Sequence, residues 1–348
     1  MIAATATRNR AVDRSVRGNP VKHRIKTVLF FLLYYSGLEF LISKLISCDA
    51  AAILMYHGVC ESPRMPEDIN FHVTPRMLDR HLRFLKRRCR PVTLGQLVDM
   101  FARRQNINKA VVITFDDGYR NNATYAAPIL FRHKAPATIF LTTGYVGTSD
   151  WIPLNELYAL WAAGKASESE LRQWRERIRL NPRDEASDAI EEIVERARTL
   201  DRAPARDSFD MLTWLEVREL AYGGIEFGGH THSHCSLALE DDERQKSELT
   251  QSRQLIEEQL GRRVRTFAYP YGRPPYINDA SGAMVRECGY ECAVSTEIGL
   301  ATRRSDPFRL PRVGYQKKVF LFAGELSYLF VKQRVRELLT RNSTGGRH

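Results

Sequence analysis

Short, purely apolar runs that end abruptly in polar, Gly-rich sequence restrict how this chain folds more than any other feature. Ala51-Ala52-Ile53-Leu54-Met55-Tyr56-His57, Ala110-Val111-Val112-Ile113-Thr114-Phe115 and Ala137-Thr138-Ile139-Phe140-Leu141 are of strand length and do not alternate, the pattern of strands buried on both faces. Helical stretches separate them. Thr74-Pro75 opens one, with proline in the first turn and Met77, Leu78, His81, Leu82 and Leu85 at helical spacing. Val92-Thr93-Leu94 leads into a second that ends near Arg103, and a third runs from Asn122 to His133. Strands alternating with helices imply parallel pairing and a wound α/β fold. In such folds chemistry collects at the C-terminal ends of the strands.

The rhythm breaks between Trp151 and about Leu212, where charged sequence carries amphipathic stripes. Leu171, Trp174 and Ile178 form one; Ile190, Ile193, Val194, Ala197 and Leu200 form another. We read this segment as a helical insertion, either a substrate wall or simple packing. Strands resume at Ile225-Glu226-Phe227, from Val264 to Tyr269 and from Glu291 to Ser295, with a helix from about Asp241 to Leu260.

The net charge of +11 suggests nucleic acid until it is located. Residues 1–27 hold seven Lys/Arg against one acid, and residues 317–348 hold seven against two; residues 28–316 balance at 38 of each sign. A phosphate-binding groove would place its charge in the folded body, so nucleic acid is excluded. Both ends pair their basic residues with apolar, aromatic-rich sequence. Val28 to Ile46 follows the basic lead of Arg8, Arg10, Arg14, Arg17, Lys22, Arg24 and Lys26, and Val319 to Val331 precedes Lys332, Arg334 and Arg336. Glu39 and Lys44 interrupt the first run, which is therefore short of the roughly 20 apolar residues of a spanning helix. We expect peripheral membrane contact through residues 28–46 and 319–336. The basic lead and six scattered cysteines without a CxxC pair favour the cytoplasmic face. The chain thus divides into a tail and apolar helix over 1–50, a domain over 51–316 and a basic amphipathic helix over 317–348.

Three short segments after three of the strands carry the chemistry. Thr114-Phe115-Asp116-Asp117-Gly118 sets two carboxylates at a strand end, where one can bind a cation while its neighbour stays free as a base. Gly228-Gly229-His230-Thr231-His232-Ser233-His234 places two imidazoles four residues apart. With one carboxylate these make a facial metal set with positions left open. His232 should point away from its neighbours and serve a structural role. Phe267-Ala268-Tyr269-Pro270-Tyr271-Gly272 suits a sugar platform, with Tyr269 and Pro270 as its contacts.

Taken in this order, the three motifs resemble the polysaccharide deacetylases of carbohydrate esterase family 4 (NodB-like), over roughly residues 51–316. The opening Ile53-Leu54-Met55-Tyr56-His57-Gly58-Val59 is similar to the subgroup acting on secreted exopolysaccharides. The resemblance implies a distorted (β/α) barrel of fewer than eight strands. It further implies a divalent metal ion, zinc or a similar one, on Asp117, His230 and His234, with Asp116 as general base toward water. The oxyanion would be held by the metal and the Tyr271 backbone N–H, and Thr231 would order the metal loop. The substrate would be an N-acetylated glycan; a lipid-linked or small N-acyl sugar is the alternative, and a non-catalytic glycan-binding role a third. The sequence departs from the family in two places. Ala268 stands where many members have an arginine paired with the catalytic Asp, and the late Leu-x-His motif is missing. His57 is then the candidate acid or substrate partner, and Arg309 and Arg312 are candidates for substrate contact or for steadying Asp116.

Overall fold

The computed structural model describes residues 20–66 and 71–344; Arg8, Arg10, Arg14 and Arg17 lie outside the described residues. Two helices come first, α1 (Pro20–Tyr35) and α2 (Leu38–Leu45). The barrel begins with β1 (Ala50–Tyr56), α3 (Pro75–Arg88), β2 (Arg90–Val92), α4 (Leu94–Ala102) and β3 (Ala110–Phe115). A π-helical turn (Asn122–Ala126) leads into α5 (Ala127–His133), and β4 (Thr138–Leu141) follows. The insertion contributes α6 (Pro153–Ala162), α7 (Glu168–Leu180), α8 (Ser187–Arg198) and the short α9 (Arg206–Phe209). Next come α10 (Trp214–Tyr222), β5 (Glu226–Gly229), α11 (Asp242–Leu260), β6 (Thr266–Ala268) and α12 (Asp279–Glu287). The chain ends with β7 (Cys292–Ile298), β8 (Ala301–Thr302), β9 (Leu310–Gly314) and α13 (Val319–Thr344).

Seven strands close on themselves in the order β3-β4-β5-β6-β7-β9-β1, with β1 returning to β3. Every pairing around the ring is parallel. Purely parallel strands are buried on both faces, and β1, β3 and β4 are buried almost throughout and largely apolar for that reason. The fold is a distorted (β/α) barrel of seven strands. β2 shares the β4 edge of β3 lower down, and β8 runs antiparallel to the start of β1.

Alternate residues point inward, and a small interior admits only a few. Ala51, Ile53, Val112, Phe140, Ala268, Val294 and Leu310 fill it. Helix α4 closes the N-terminal end with Leu94, Leu97 and Met100 in the same cluster. It is fastened by Glu226, whose carboxylate accepts from the Gly95 N–H at 3.0 Å and the Thr93 hydroxyl at 2.7 Å. The C-terminal end stays open.

The insertion has a core of its own in which Trp151, Leu157, Leu171, Trp174, Ile178 and Ile193 are buried. At the other pole, α1 and α13 pack together. Lys26 pairs with Glu325 at 2.6 Å, and Phe31 meets the Phe320 ring edge-on at 5.6 Å. Residues 319–336 are only partly at the surface: Phe322, Ala323, Leu326 and Phe330 are buried, while Tyr328 and Val335 are exposed. The apolar run from Val28 to Ile46 is also not one helix, since the segments Arg24–Tyr35 and Leu38–Leu45 meet at 85°. All six cysteines are free, and Cys288 and Cys292 fall on different elements.

His81 of α3 is fully buried, its Nδ1 3.0 Å from the Tyr56 hydroxyl and its ring stacked on Phe322 at 4.1 Å. Burial holds its pKa down at about 3. The unfolded chain protonates this residue near its ordinary pKa of about 6.5. Stability is therefore untouched above that pH and falls as pH drops toward 3. At pH 5 the loss from this one residue is about 2 kcal/mol. Urea unfolding should weaken more between pH 7 and pH 5 in the wild type than in His81→Gln; equal losses would show that His81 titrates freely in the folded state.

Candidate metal centre and active site

All three motifs arrive at the open end of the barrel. Asp116 and Asp117 follow β3, the His230–His234 loop follows β5, and Tyr271 follows β6. Gly118, at φ +85°, makes the turn after the carboxylates; a Cβ there would sit 2.8 Å from Leu141 Cδ2 and in a strained conformation. Four residues with side chains also take left-handed backbone: Asp117 (φ 74°), Thr231 (62°), His234 (63°) and Tyr271 (60°). Each such conformation costs on the order of 1–3 kcal/mol and persists only where its surroundings impose it.

Asp117, His230 and His234 bring one ligand atom each to within 4.8 Å of the others. His230 Nε2 and His234 Nε2 lie 3.3 and 3.2 Å from Asp117 Oδ1. That oxygen is buried and has no hydrogen-bond partner. His230 Nδ1 is 2.7 Å from the Ala268 carbonyl oxygen. A carbonyl only accepts, so Nδ1 carries a proton, and in the neutral tautomer this fixes, Nε2 offers its lone pair toward Asp117. Burial lowers the His234 pKa despite the attraction of Asp117, which disfavours an imidazolium there. Burial works against ionising Asp117, but the imidazoles around it prevail and hold it well below the usual carboxylate range. An ionised carboxylate facing a neutral imidazole lone pair across 3.3 Å is a cation's coordination set.

The loop between these histidines is held from below. Thr231 Oγ1 accepts from the His234 N–H at 2.9 Å. Glu248, buried on α11, accepts from the His232 and Ser233 N–H groups at 2.8 Å and from the Ser233 hydroxyl at 2.7 Å. His232 itself turns to Thr143, 3.1 Å away, and is outside the ligand set. Sequence reading missed Glu248. The available signal was a polar residue on the inner stripe of α11, where Gln245, Glu248, Leu249, Ser252 and Ile256 are all buried.

Asp116 has a different partner. Arg312 of β9 forks onto it, Nη1 to Oδ1 and Nη2 to Oδ2, both at 2.7 Å. Its remaining donors go to Ser295 O at 2.8 Å and Thr114 Oγ1 at 3.2 Å. Burial raises the Asp116 pKa, but the charge and hydrogen bonds of Arg312 prevail and keep the group below the ordinary carboxylate range. His57 Nε2 stands 3.9 Å from Asp116 Oδ2, and its ring stacks on the half-exposed Phe71 at 4.8 Å. Tyr271 is half-buried; its ring meets His234 edge-on at 5.1 Å, under the Arg179 guanidinium of α7 at 4.9 Å.

Asp116, Asp117, His230, His234, His57, Tyr271 and Arg312 are thus brought together. The other expected contacts are not. Tyr269 is buried outside the barrel, with its hydroxyl donated to the Phe308 carbonyl at 2.9 Å, and Pro270 is buried beside it. Strand alternation accounts for this. Ala268 faces inward, so Tyr269 faces the helices, where it meets Phe267. Arg309 lies before β9 and is spent on Glu297 at 2.7 Å. Arg312 is too deeply buried to touch substrate, and it holds Asp116 instead. Neither Tyr269, Pro270, Arg309 nor Arg312 forms a substrate surface.

A small parallel barrel with a candidate carboxylate–imidazole metal site beside a second, separately paired carboxylate is an arrangement suited to hydrolysis. A family model described as polysaccharide deacetylase matches residues 103–293, more than half of the chain, and the chain belongs to that family. YxkH of Bacillus subtilis (strain 168), whose name carries the same family, is 24% identical over 205 residues, 59% of this chain and 51% of its own. The chain thus spans about half the length of that relative. The poly-beta-1,6-N-acetyl-D-glucosamine N-deacetylase of Staphylococcus aureus (strain MRSA252) is 20% identical over 70% of this chain and 68% of its own length. Among solved structures, the Streptococcus pyogenes deacetylase PplD in complex with acetate covers 81% of this chain and 98% of its own at 21% identity and TM-score 0.57. IcaB from Ammonifex degensii covers 80% and 97% at 20% identity and TM-score 0.53. At these identities the two structures speak for the fold.

Losing one member of a buried ion pair strands the other. Arg312→Met should destabilise the protein by roughly 3–5 kcal/mol, and adding Asp116→Asn should recover a large part of that. Denaturant unfolding of both single variants and the double variant checks this, and simple additivity would contradict the pairing.

Proposed function

We propose that this protein hydrolyses N-acetyl groups on an N-acetylhexosamine-containing polysaccharide, of the kind made as an exopolysaccharide or surface glycan. The observation that carries the reading is the division of labour between adjacent carboxylates. Asp117 faces two imidazoles and Asp116 is held by Arg312. The S. aureus relative named for poly-beta-1,6-N-acetyl-D-glucosamine favours a polymer over the lipid-linked or small N-acyl sugar that remains the second reading.

Asp117, His230 and His234 would hold the metal, and two imidazoles with one carboxylate suit zinc. A divalent cation there supplies Lewis-acid polarisation of the acetyl carbonyl. Asp116, ionised and oriented by its fork to Arg312, takes a proton from the attacking water. The Tyr271 backbone N–H supports the oxyanion that forms on the carbonyl. The proton taken by Asp116 passes through His57, 3.9 Å away, to the leaving nitrogen as the C–N bond breaks. Acetate and a free amine result.

Asp116→Asn should abolish acetate release from acetylated oligosaccharides while metal content by elemental analysis is unchanged. His230→Ala should lose the metal; unchanged metal there would sink the ligand set. His57→Gln should slow amide hydrolysis by roughly 100-fold or more yet spare an aryl acetate, whose phenolate leaves without a proton. If both substrates slow equally, His57 is not the acid.

A further inference from the structure

Helices α1 and α2 are amphipathic in the opposite sense from helices that face water. On α1 the outward residues are Ile25, Val28, Leu29, Leu32 and Tyr35, three or four apart, with Leu32 59% and Tyr35 64% exposed. The inner face of α1 buries Phe30 against Gly324, where a Cβ would come within 2.3 Å of the ring, and spends Lys26 on Glu325. On α2, Leu38, Leu41 and Leu45 point outward, Leu45 at 85% exposure. The acid of that helix, Glu39, is buried instead, paired with Arg88 at 3.1 Å and accepting from the Ser327 hydroxyl at 2.7 Å. A buried acid and outward leucines reverse the usual pattern.

The exposure is also concentrated. Nine of the 18 exposed large hydrophobic residues among the described residues lie on these two helices, and four more, Tyr328, Val335, Leu338 and Leu339, lie on α13. Contiguous exposed apolar surface of this kind marks an interaction face. Arg24 and Lys44 are exposed on the same two helices, and the sequence through residue 27 carries seven basic residues against one acid. No single described helix is long and apolar enough to cross a membrane, and the α1–α2 pair is bent by 85°.

We infer that α1 and α2 dock this protein on the surface of an anionic lipid bilayer, with Val28, Leu32, Leu41 and Leu45 entering the acyl boundary and the basic residues meeting the headgroups. Charge decides between this and pairing with a second copy of the chain. A dimer through the same face would bring two strongly basic segments together, whereas an anionic surface neutralises them.

The test uses the full-length protein and vesicles of phosphatidylcholine with about 30% phosphatidylglycerol. Co-sedimentation should be strong at low salt, at least about tenfold weaker on pure phosphatidylcholine, and weakened as salt screens the headgroups. Leu32→Glu/Leu41→Glu should lose vesicle binding by more than about tenfold while acetate release from a soluble oligosaccharide stays at wild-type level. Both substitutions replace exposed side chains, so folding monitored by circular dichroism should not change. Absence of vesicle binding would overturn the inference. So would a stable wild-type dimer in sedimentation equilibrium that the double variant turns into a monomer.

Discussion

Two carboxylates side by side, both buried, are the constraint around which the rest of this site is arranged. Asp116 and Asp117 are 2% and 6% exposed, and neither can ionise there without its own compensation. The two are served from opposite sides of the barrel. Arg312 reaches Asp116 from β9, past β1, and the His230–His234 loop reaches Asp117 from β5. Closing the ring through β9, β1 and β3 is therefore an electrostatic requirement as well as a topological one. An open sheet would leave Asp116 without its cation.

This pairing also resolves the departure at position 268. The family resemblance leads one to expect an arginine on the third motif, and Ala268 leaves that place empty. Ala268 and Arg312 both point into a narrow interior, lined at the same level by Val294 and Leu310. An arginine entering from either strand can reach the same carboxylate, and room for two is lacking. What Ala268 still supplies is its carbonyl, which fixes the His230 tautomer and depends on no side chain. In this chain β9 supplies the arginine, and position 268 contributes through its backbone.

The apolar strands were legible because parallel strands in a closed barrel are buried on both sides, and β1, β3 and β4 have no other way to be composed. The Asp117, His230 and His234 cluster was legible because its three members fall in two short segments. Strand β9 was not. Leu310-Pro311-Arg312-Val313-Gly314 reads as a turn, with a proline, an arginine and a glycine in five residues. It is a strand because Leu310 and Arg312 alternate inward while Val313 packs outside. The inward arginine is stable only because Asp116 is already there. Tyr269 failed in the opposite direction: its composition suited a sugar platform, and the pleat turned it toward the helices. Side-chain type announces chemistry, but the parity of a strand decides where it is delivered.

The same logic of compensation reaches the periphery. Segment 179–183 of the insertion touches loops that follow three of the barrel strands. Arg179 covers Tyr271, the Arg179 carbonyl accepts from the Ser236 hydroxyl at 2.8 Å, and Arg183 bonds to the Tyr145 hydroxyl and, through its N–H, to Glu240. The residues it steadies are neighbours of those in left-handed conformations, which would relax if nothing imposed them. A helical segment with its own core is rigid enough to impose that geometry where a flexible loop is not. The insertion interrupts the strand–helix rhythm in sequence, yet in space it buttresses the loops after β4, β5 and β6, of which the last two carry His230, His234 and Tyr271.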